Sequence, residues 1–155
     1  MGPFFHPLDA IGAWNKLYGK RGFVQYQFVV PEAEAHAVVT EVLNRCRAEG
    51  WNSFLSVLKR FGEDSPPVSL SFPFPGVTLT LDVPVRKGLL AFLEVLDEIV
   101  LAAGGRVYLA KDARLSAESF RRMYPEFPAW LKVKRQVDPD WKFSSALSRR
   151  LAMEA

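Results

Sequence analysis

Apolar and polar residues alternate from Phe23 to Val30 with the two-residue period of a strand, and Pro31 then opens a segment of helical period. Ala35, Val38, Val39, Val42, Leu43 and Cys46 fall on one helical stripe that Gly50 closes. Ser53 to Phe61 reads as a second strand and 62–67, with its Gly and paired Pro, as a turn. Val68–Phe72 and Thr78–Val83 supply further strand around the Pro73-Phe74-Pro75-Gly76 break. A second stripe, Leu89, Phe92, Leu93, Leu96, Ile99, Val100 and Ala103, predicts a helix ended by Gly104-Gly105, before a short strand from Arg106 to Leu109. The order β-α-β-β-α-β predicts an α+β fold, a ferredoxin-like (split βαβ) antiparallel sheet with both helices on one face and the other face free. Three short helices follow. Ser116 caps the first, which Pro125 ends, and 129–137 and 144–151 form the others.

Alternation also divides the chemistry between the two faces. Val24, Tyr26, Phe28 and Val30 point toward the helices with Leu79, Leu81 and Val83, which leaves Gln25, Gln27, Thr78, Thr80 and Asp82 on the opposite face. Lys59 lies in a strand that is apolar on both faces, so its side is open from the pattern alone. Amides, hydroxyls, a carboxylate and a cation suit a polyhydroxylated or phosphorylated ligand, because hydroxyls need both donors and acceptors and a phosphate needs a cation. A half-exposed sheet face wet by solvent is the plainer alternative. At the chain's return from the second helix, the closing strand delivers Lys111 to what reads as the edge of a site, and alternation sets Asp112 opposite it in a structural role.

The composition fits a folded chain: 155 residues, 49% hydrophobic and 24% charged, enough to bury roughly 68–70% of the unfolded surface. The net charge of +3 is uneven. Residues 1–106 hold ten Lys/Arg against eleven Asp/Glu and 107–155 hold ten against six, so the excess lies in the tail. That tail is a solvated surface or faces a phosphate, a polyanion or an acidic partner domain. No aromatic-basic strand motif points to nucleic acid. Cys46 is the only cysteine and sits on an apolar stripe, as a buried thiol. His6 and His36 have no neighbours at metal-ligand spacing, so no metal is expected. The start of the chain lacks a secretory pattern and no run reaches the ~20 apolar residues of a membrane helix, which gives a cytoplasmic expectation. Phe120, Tyr124, Phe127, Trp130, Trp141 and Phe143 in the tail are expected to pack back on the domain or on a partner.

Several ordered blocks carry a family resemblance. They are Phe4-Phe5-His6-Pro7-Leu8-Asp9, Trp14-Asn15, Gly22 to Pro31, Phe54 to Gly62, Leu70 to Gly76, Tyr108-Leu109-Ala110-Lys111-Asp112 and Val137-Asp138-Pro139. Together they resemble the C-terminal portion of decaprenylphosphoryl-β-D-ribose 2-oxidases, a family of FAD-linked oxidases in the vanillyl-alcohol oxidase superfamily. The resemblance implies that 1–106 is a portion of a substrate domain and that 107–155 packs on an FAD-binding domain or subunit outside this sequence. It implies that Gln25, Gln27, Lys59, Thr78, Thr80 and Asp82 line a pocket for a sugar or prenyl-phosphosugar. It also implies that Tyr108 and Lys111 lie where substrate meets the flavin, as catalytic and cofactor-binding residues. Lys111 would stabilise negative charge on the reduced flavin or polarise the substrate hydroxyl, Tyr108 would orient the sugar or the ring, and Lys59 would hold a phosphate. Thr80 stands where the family pattern has a cysteine, and Ala146 where it has an aspartate. Membrane contact is expected only through a lipid-linked substrate.

The leading expectation is therefore the C-terminal portion of an FAD-dependent oxidoreductase acting on a secondary alcohol, inactive by itself. A non-catalytic ferredoxin-like binding module and a structural subunit docking through the basic tail are the alternatives.

Overall fold

The structure, a computed structural model, describes residues 12–13, 16, 19–63 and 69–154. Its elements run β1 (Phe23–Pro31), α1 (Glu32–Ala48), β2 (Ser56–Phe61), β3 (Gly76–Pro84), α2 (Leu89–Ala102), β4 (Arg106–Val107), a 3-10 turn (Leu109–Lys111), α3 (Ala117–Met123), α4 (Phe127–Val137) and α5 (Ala146–Arg150). The strands form one sheet in the order β2-β3-β1-β4 with every pairing antiparallel. This is the sheet of a split βαβ, and the sequence order of its elements is the one the apolar periodicities predict. The blocks 4–9 and 14–15, His6 and most of the turn at 62–67 lie outside the described residues.

α1 carries Glu32 and Glu34 in its first turn and Arg45 and Arg47 in its last, each sign at the helix end that favours it. Its buried positions, Ala35, Val38, Val42 and Cys46, are those of the sequence stripe. α2 buries Leu89, Phe92, Leu93, Leu96 and Val100 against the sheet. It stops at Gly104, whose φ of +70° suits glycine, and the next residue passes close beneath β1. A Cβ on Gly105 would sit 2.6 Å from the Val29 carbonyl oxygen and 2.8 Å from a Val100 methyl.

Three expectations need correction. Of the Val68–Phe72 strand, the described residues 69–72 form none: 69–70 is a turn, with Leu70 at a φ of +61°, and 71–74 is irregular, where Pro73 has no N–H for a ladder. The closing strand is shorter than Arg106–Leu109; only Arg106 and Val107 pair with β1, and the chain then coils into the 3-10 turn that carries Lys111. Last, the polar face of the sheet does not stand free. Gln27, Thr78, Thr80 and Asp82 are all buried, Asp82 to 1% exposure.

The C-terminal helices join the same core. Leu115, Phe120, Met123, Tyr124, Phe127, Leu151 and Met153 are buried in one cluster with the sheet's apolar face, and the Tyr124 hydroxyl donates to the Val107 carbonyl at 2.6 Å. Trp130 and Trp141 pack half-buried on that cluster, whereas Phe143 is 82% exposed.

Candidate functional site

Register sorts the polar residues into rows across the sheet, since partners directly opposite in an antiparallel pair share a face. One row runs Lys59, Thr78, Val29, Arg106 from β2 to β4. The next holds Val57, Thr80 and Gln27, and Tyr108 extends it by donating its backbone N–H to the Gln27 carbonyl at 2.8 Å. The third pairs Asp82 with Gln25. Lys59, whose side the sequence pattern leaves open, therefore shares the face of Thr78, at the exposed edge of the sheet.

The wall is internally bonded. The Gln25 amide donates to Asp82 Oδ1 at 2.7 Å, directly across the β1–β3 ladder, and the Gln27 amide donates to the Thr78 hydroxyl at 3.0 Å. Each bond fixes a side chain that would otherwise rotate, so the donors and acceptors on this face are held in place before any ligand arrives. The Asp82 backbone N–H donates to the Ser53 hydroxyl at 2.9 Å, which carries the ladder past the end of β2.

An aromatic step borders the wall. Phe72, from the irregular stretch before β3, stacks on the Tyr108 ring at 4.5 Å between centroids and meets the edge of Phe61 at 6.0 Å. Arg106 lies beside them over Phe74, donates to the Ser71 carbonyl at 2.9 Å and pairs with Glu126 at 3.5 Å. Its Nε is buried without an acceptor. The same alternation that selects Tyr108 would have selected Arg106 two residues earlier. Phe72 carries no such signal, because its position depends on the path of a loop.

Lys111 ends the 3-10 turn, which packs against β1, and its backbone N–H bonds the Tyr108 carbonyl at 3.0 Å. The side chain is half-buried and makes no hydrogen bond or ion pair among the described residues. Asp112, next in the chain, is otherwise engaged. Its Oδ1 accepts the backbone N–H groups of Arg114 at 2.9 Å and Leu115 at 2.8 Å, and its Oδ2 accepts from Arg150 at 2.6 Å.

Behind the wall, on the helix side of the sheet, Asp97 of α2 accepts from the Tyr26 hydroxyl at 3.0 Å and from Arg114 at 2.5 Å. Arg114 also donates to the Leu93 carbonyl at 3.1 Å. Burial pushes the Asp97 carboxyl above the usual carboxylate range against the pull of Arg114, and burial together with the Asp97 charge pushes the Tyr26 phenol well up. The guanidinium, although desolvated, is held protonated by its bond to Asp97. Sequence periodicity places Tyr26 on the helix-facing side of β1 but leaves Asp97 off the apolar stripe of α2, so it does not show that the two meet.

The family model for D-arabinono-1,4-lactone oxidase matches residues 23–151. The chain belongs to this family. The D-arabinono-1,4-lactone oxidase family is one of flavin-linked oxidases, and the matched span takes in the whole sheet, the polar wall and the Lys111 turn. Among curated relatives, a protein of Mycolicibacterium smegmatis named decaprenylphosphoryl-beta-D-ribose oxidase is 46% identical over 150 residues, which cover 97% of this chain and 32% of that protein. A protein of Streptomyces coelicolor, described only as uncharacterized and lying in the mprA 5′ region, is 41% identical over 147 residues, 94% of this chain and 40% of that protein. The chain thus spans about a third of the first relative and two fifths of the second. Among the described residues no helix is long and apolar enough to cross a membrane.

Proposed function

We propose that this chain forms the substrate-facing wall of an FAD-dependent oxidoreductase that oxidises a secondary alcohol of a sugar or prenyl-phosphosugar, with the FAD-binding half supplied by sequence outside it. The observation that carries the reading is the polar face on which Gln25 bonds Asp82 and Gln27 bonds Thr78, together with a turn packed on the same strand that carries Lys111, half-buried and without a partner among the described residues. Sugar hydroxyls supply both senses of hydrogen bond, which suits the amides and hydroxyls of such a face.

The residues fit FAD in part. Lys111, Tyr108 and the orphaned Arg106 Nε offer a cation and donors to one edge of a ring system or to the substrate beside it, while no glycine-rich phosphate loop occurs in the sequence, so the adenine and pyrophosphate need the other half. FAD, when bound, supplies the hydride acceptor that turns the alcohol into a ketone as the hydroxyl proton leaves.

The protein's own residues orient and stabilise. Half-buried Gln25 offers its amide to the sugar hydroxyls, with buried Gln27, Thr78 and Thr80 as the polar layer behind it, Tyr108 sets the sugar's orientation through its stack on Phe72, and exposed Lys59 at the wall's edge receives a phosphate as a point charge. Lys111 stabilises the negative charge that develops during the transfer, which a fixed cation does best where water is excluded. The outward apolar residues Val133 and Val137 of α4 and Phe143 of the connection to α5, at 56%, 75% and 82% exposure, favour 107–155 as the segment that docks on the FAD-binding half.

The test is a chimera in which residues 23–151 replace the matching segment of the Mycolicibacterium smegmatis relative. It should purify with flavin bound, and decaprenylphosphoryl-β-D-ribose should bleach the flavin absorbance. A folded, flavin-loaded chimera that no sugar alcohol reduces, while this chain alone binds sugars or sugar phosphates, would replace the oxidase reading with that of a binding module.

A further inference from the structure

The two parts of the candidate site come from separate stretches of chain. Gln25 and Gln27 stand on the central strand of the sheet, whereas Lys111 stands on a turn after the sheet's edge. Their relative placement has to be set by something, since a turn of three residues has little rigidity of its own. Tyr26 lies between the two glutamines and points the other way, through the sheet into the core, where its hydroxyl reaches Asp97. Arg114 lies three residues after Lys111 and reaches the other oxygen of the same carboxylate. Both ends of this link are buried, with the side chains of Arg114 and Asp97 at 8% and 3% exposure.

We propose that Asp97 is a positioning residue of the site, its one carboxylate tying the strand that bears Gln25 and Gln27 to the turn that bears Lys111. Arg114 holds the far side of the turn against α2 through Asp97 and the Leu93 carbonyl. Asp112 closes the turn onto the backbone of Arg114 and Leu115, and Arg150 of α5 locks that closure by bonding the Asp112 carboxylate and the Leu115 carbonyl. On the near side, Tyr108 is bonded to Gln27 through the backbone. The turn is thereby fixed at both ends while the Lys111 ammonium is left available.

The inference rests on the oxidase reading, because it assigns Asp97 its effect through Lys111. Replacing Asp97 itself strands a buried guanidinium and endangers the fold, so the milder Tyr26→Phe is the informative variant. It removes one hydrogen bond and keeps the ring. In the flavin-loaded chimera, with decaprenylphosphoryl-β-D-ribose as the probe, Tyr26→Phe should slow single-turnover flavin reduction about tenfold. A displacement of ~1 Å at a reacting group can cost as much as 100-fold. Flavin content and the Kd of the probe should stay within about twofold of the parent. In a Lys111→Met background the same change should cost almost nothing more, which a purely structural effect would not reproduce. Reduction at the parent rate in Tyr26→Phe, or an equal slowing with and without Lys111, would overturn the positioning role and leave the oxidase reading standing. If Lys111→Met alone leaves the rate unchanged, the role of Lys111 falls, and that of Asp97 falls with it.

Discussion

Gly105 shows how little room a single position leaves where the chain turns from α2 into β4. Its missing side chain lets the backbone pass beneath β1, and a methyl there would meet the Val29 carbonyl and the Val30 and Val100 side chains at 2.6, 2.7 and 2.8 Å. Backbone cannot yield as a flexible side chain can, so Gly105→Ala should destabilise the fold by about 1–3 kcal/mol, read as a lower midpoint in urea at unchanged slope. The glycine pair is plain in the sequence as a helix stop, whereas the close approach is not, because it depends on which strand lies overhead. Cys46 is a simpler case. Its place on an apolar stripe predicts a buried thiol, and burial pushes that thiol up to about 11. Lys111 is the opposite case: the residue is visible in the sequence, but a strand through 109 would have aimed it by alternation, whereas the 3-10 turn aims it by the bonds of its neighbours.

Among the elements, the amphipathic helices and the central strands follow directly from period, and the irregular ones do not. The proline-rich approach to β3 cannot continue the ladder, so its Phe72 is free to stack on Tyr108, a contact between residues 36 positions apart that no local pattern encodes. The junction of α4 and α5 is held the same way. Asp138 accepts the backbone N–H groups of Lys142 at 2.8 Å and Phe143 at 3.0 Å and pairs with Lys134 one turn earlier in α4. The bond from Lys134 and those two backbone donors hold its carboxyl below the usual aspartate range. A carboxyl lowered in the folded state contributes stability above its unfolded value, ~3.9, and loses that contribution as pH falls through the lower folded value. Asp138→Asn should therefore weaken the decline in Tm that acid produces below about pH 4, and NMR titration of Asp138 should give a midpoint under that of an exposed aspartate. A normal midpoint would mean that the Lys134 contact does not persist in solution.

At the scale of the whole molecule, the sheet is covered on one face by its own helices and carries on the other a polar wall bordered by an aromatic step, while the bonded turn that ends in Lys111 packs against β1. Alternation assigns the five wall residues of β1 and β3 to one face from the sequence alone, and register adds Lys59 by setting it opposite Thr78. Burial of that wall was not legible, since composition cannot say whether a polar face meets water or protein. The chain's match to a third of one relative and two fifths of another accords with a site completed from elsewhere, and the central claim is that Lys111 works in that completed site. Single-turnover flavin reduction of the Lys111→Met chimera by decaprenylphosphoryl-β-D-ribose tests this most directly. Loss of a fixed charge of this kind should slow reduction by about 100-fold or more with flavin still bound and probe affinity nearly unchanged. Reduction at the parent rate would contradict the claim.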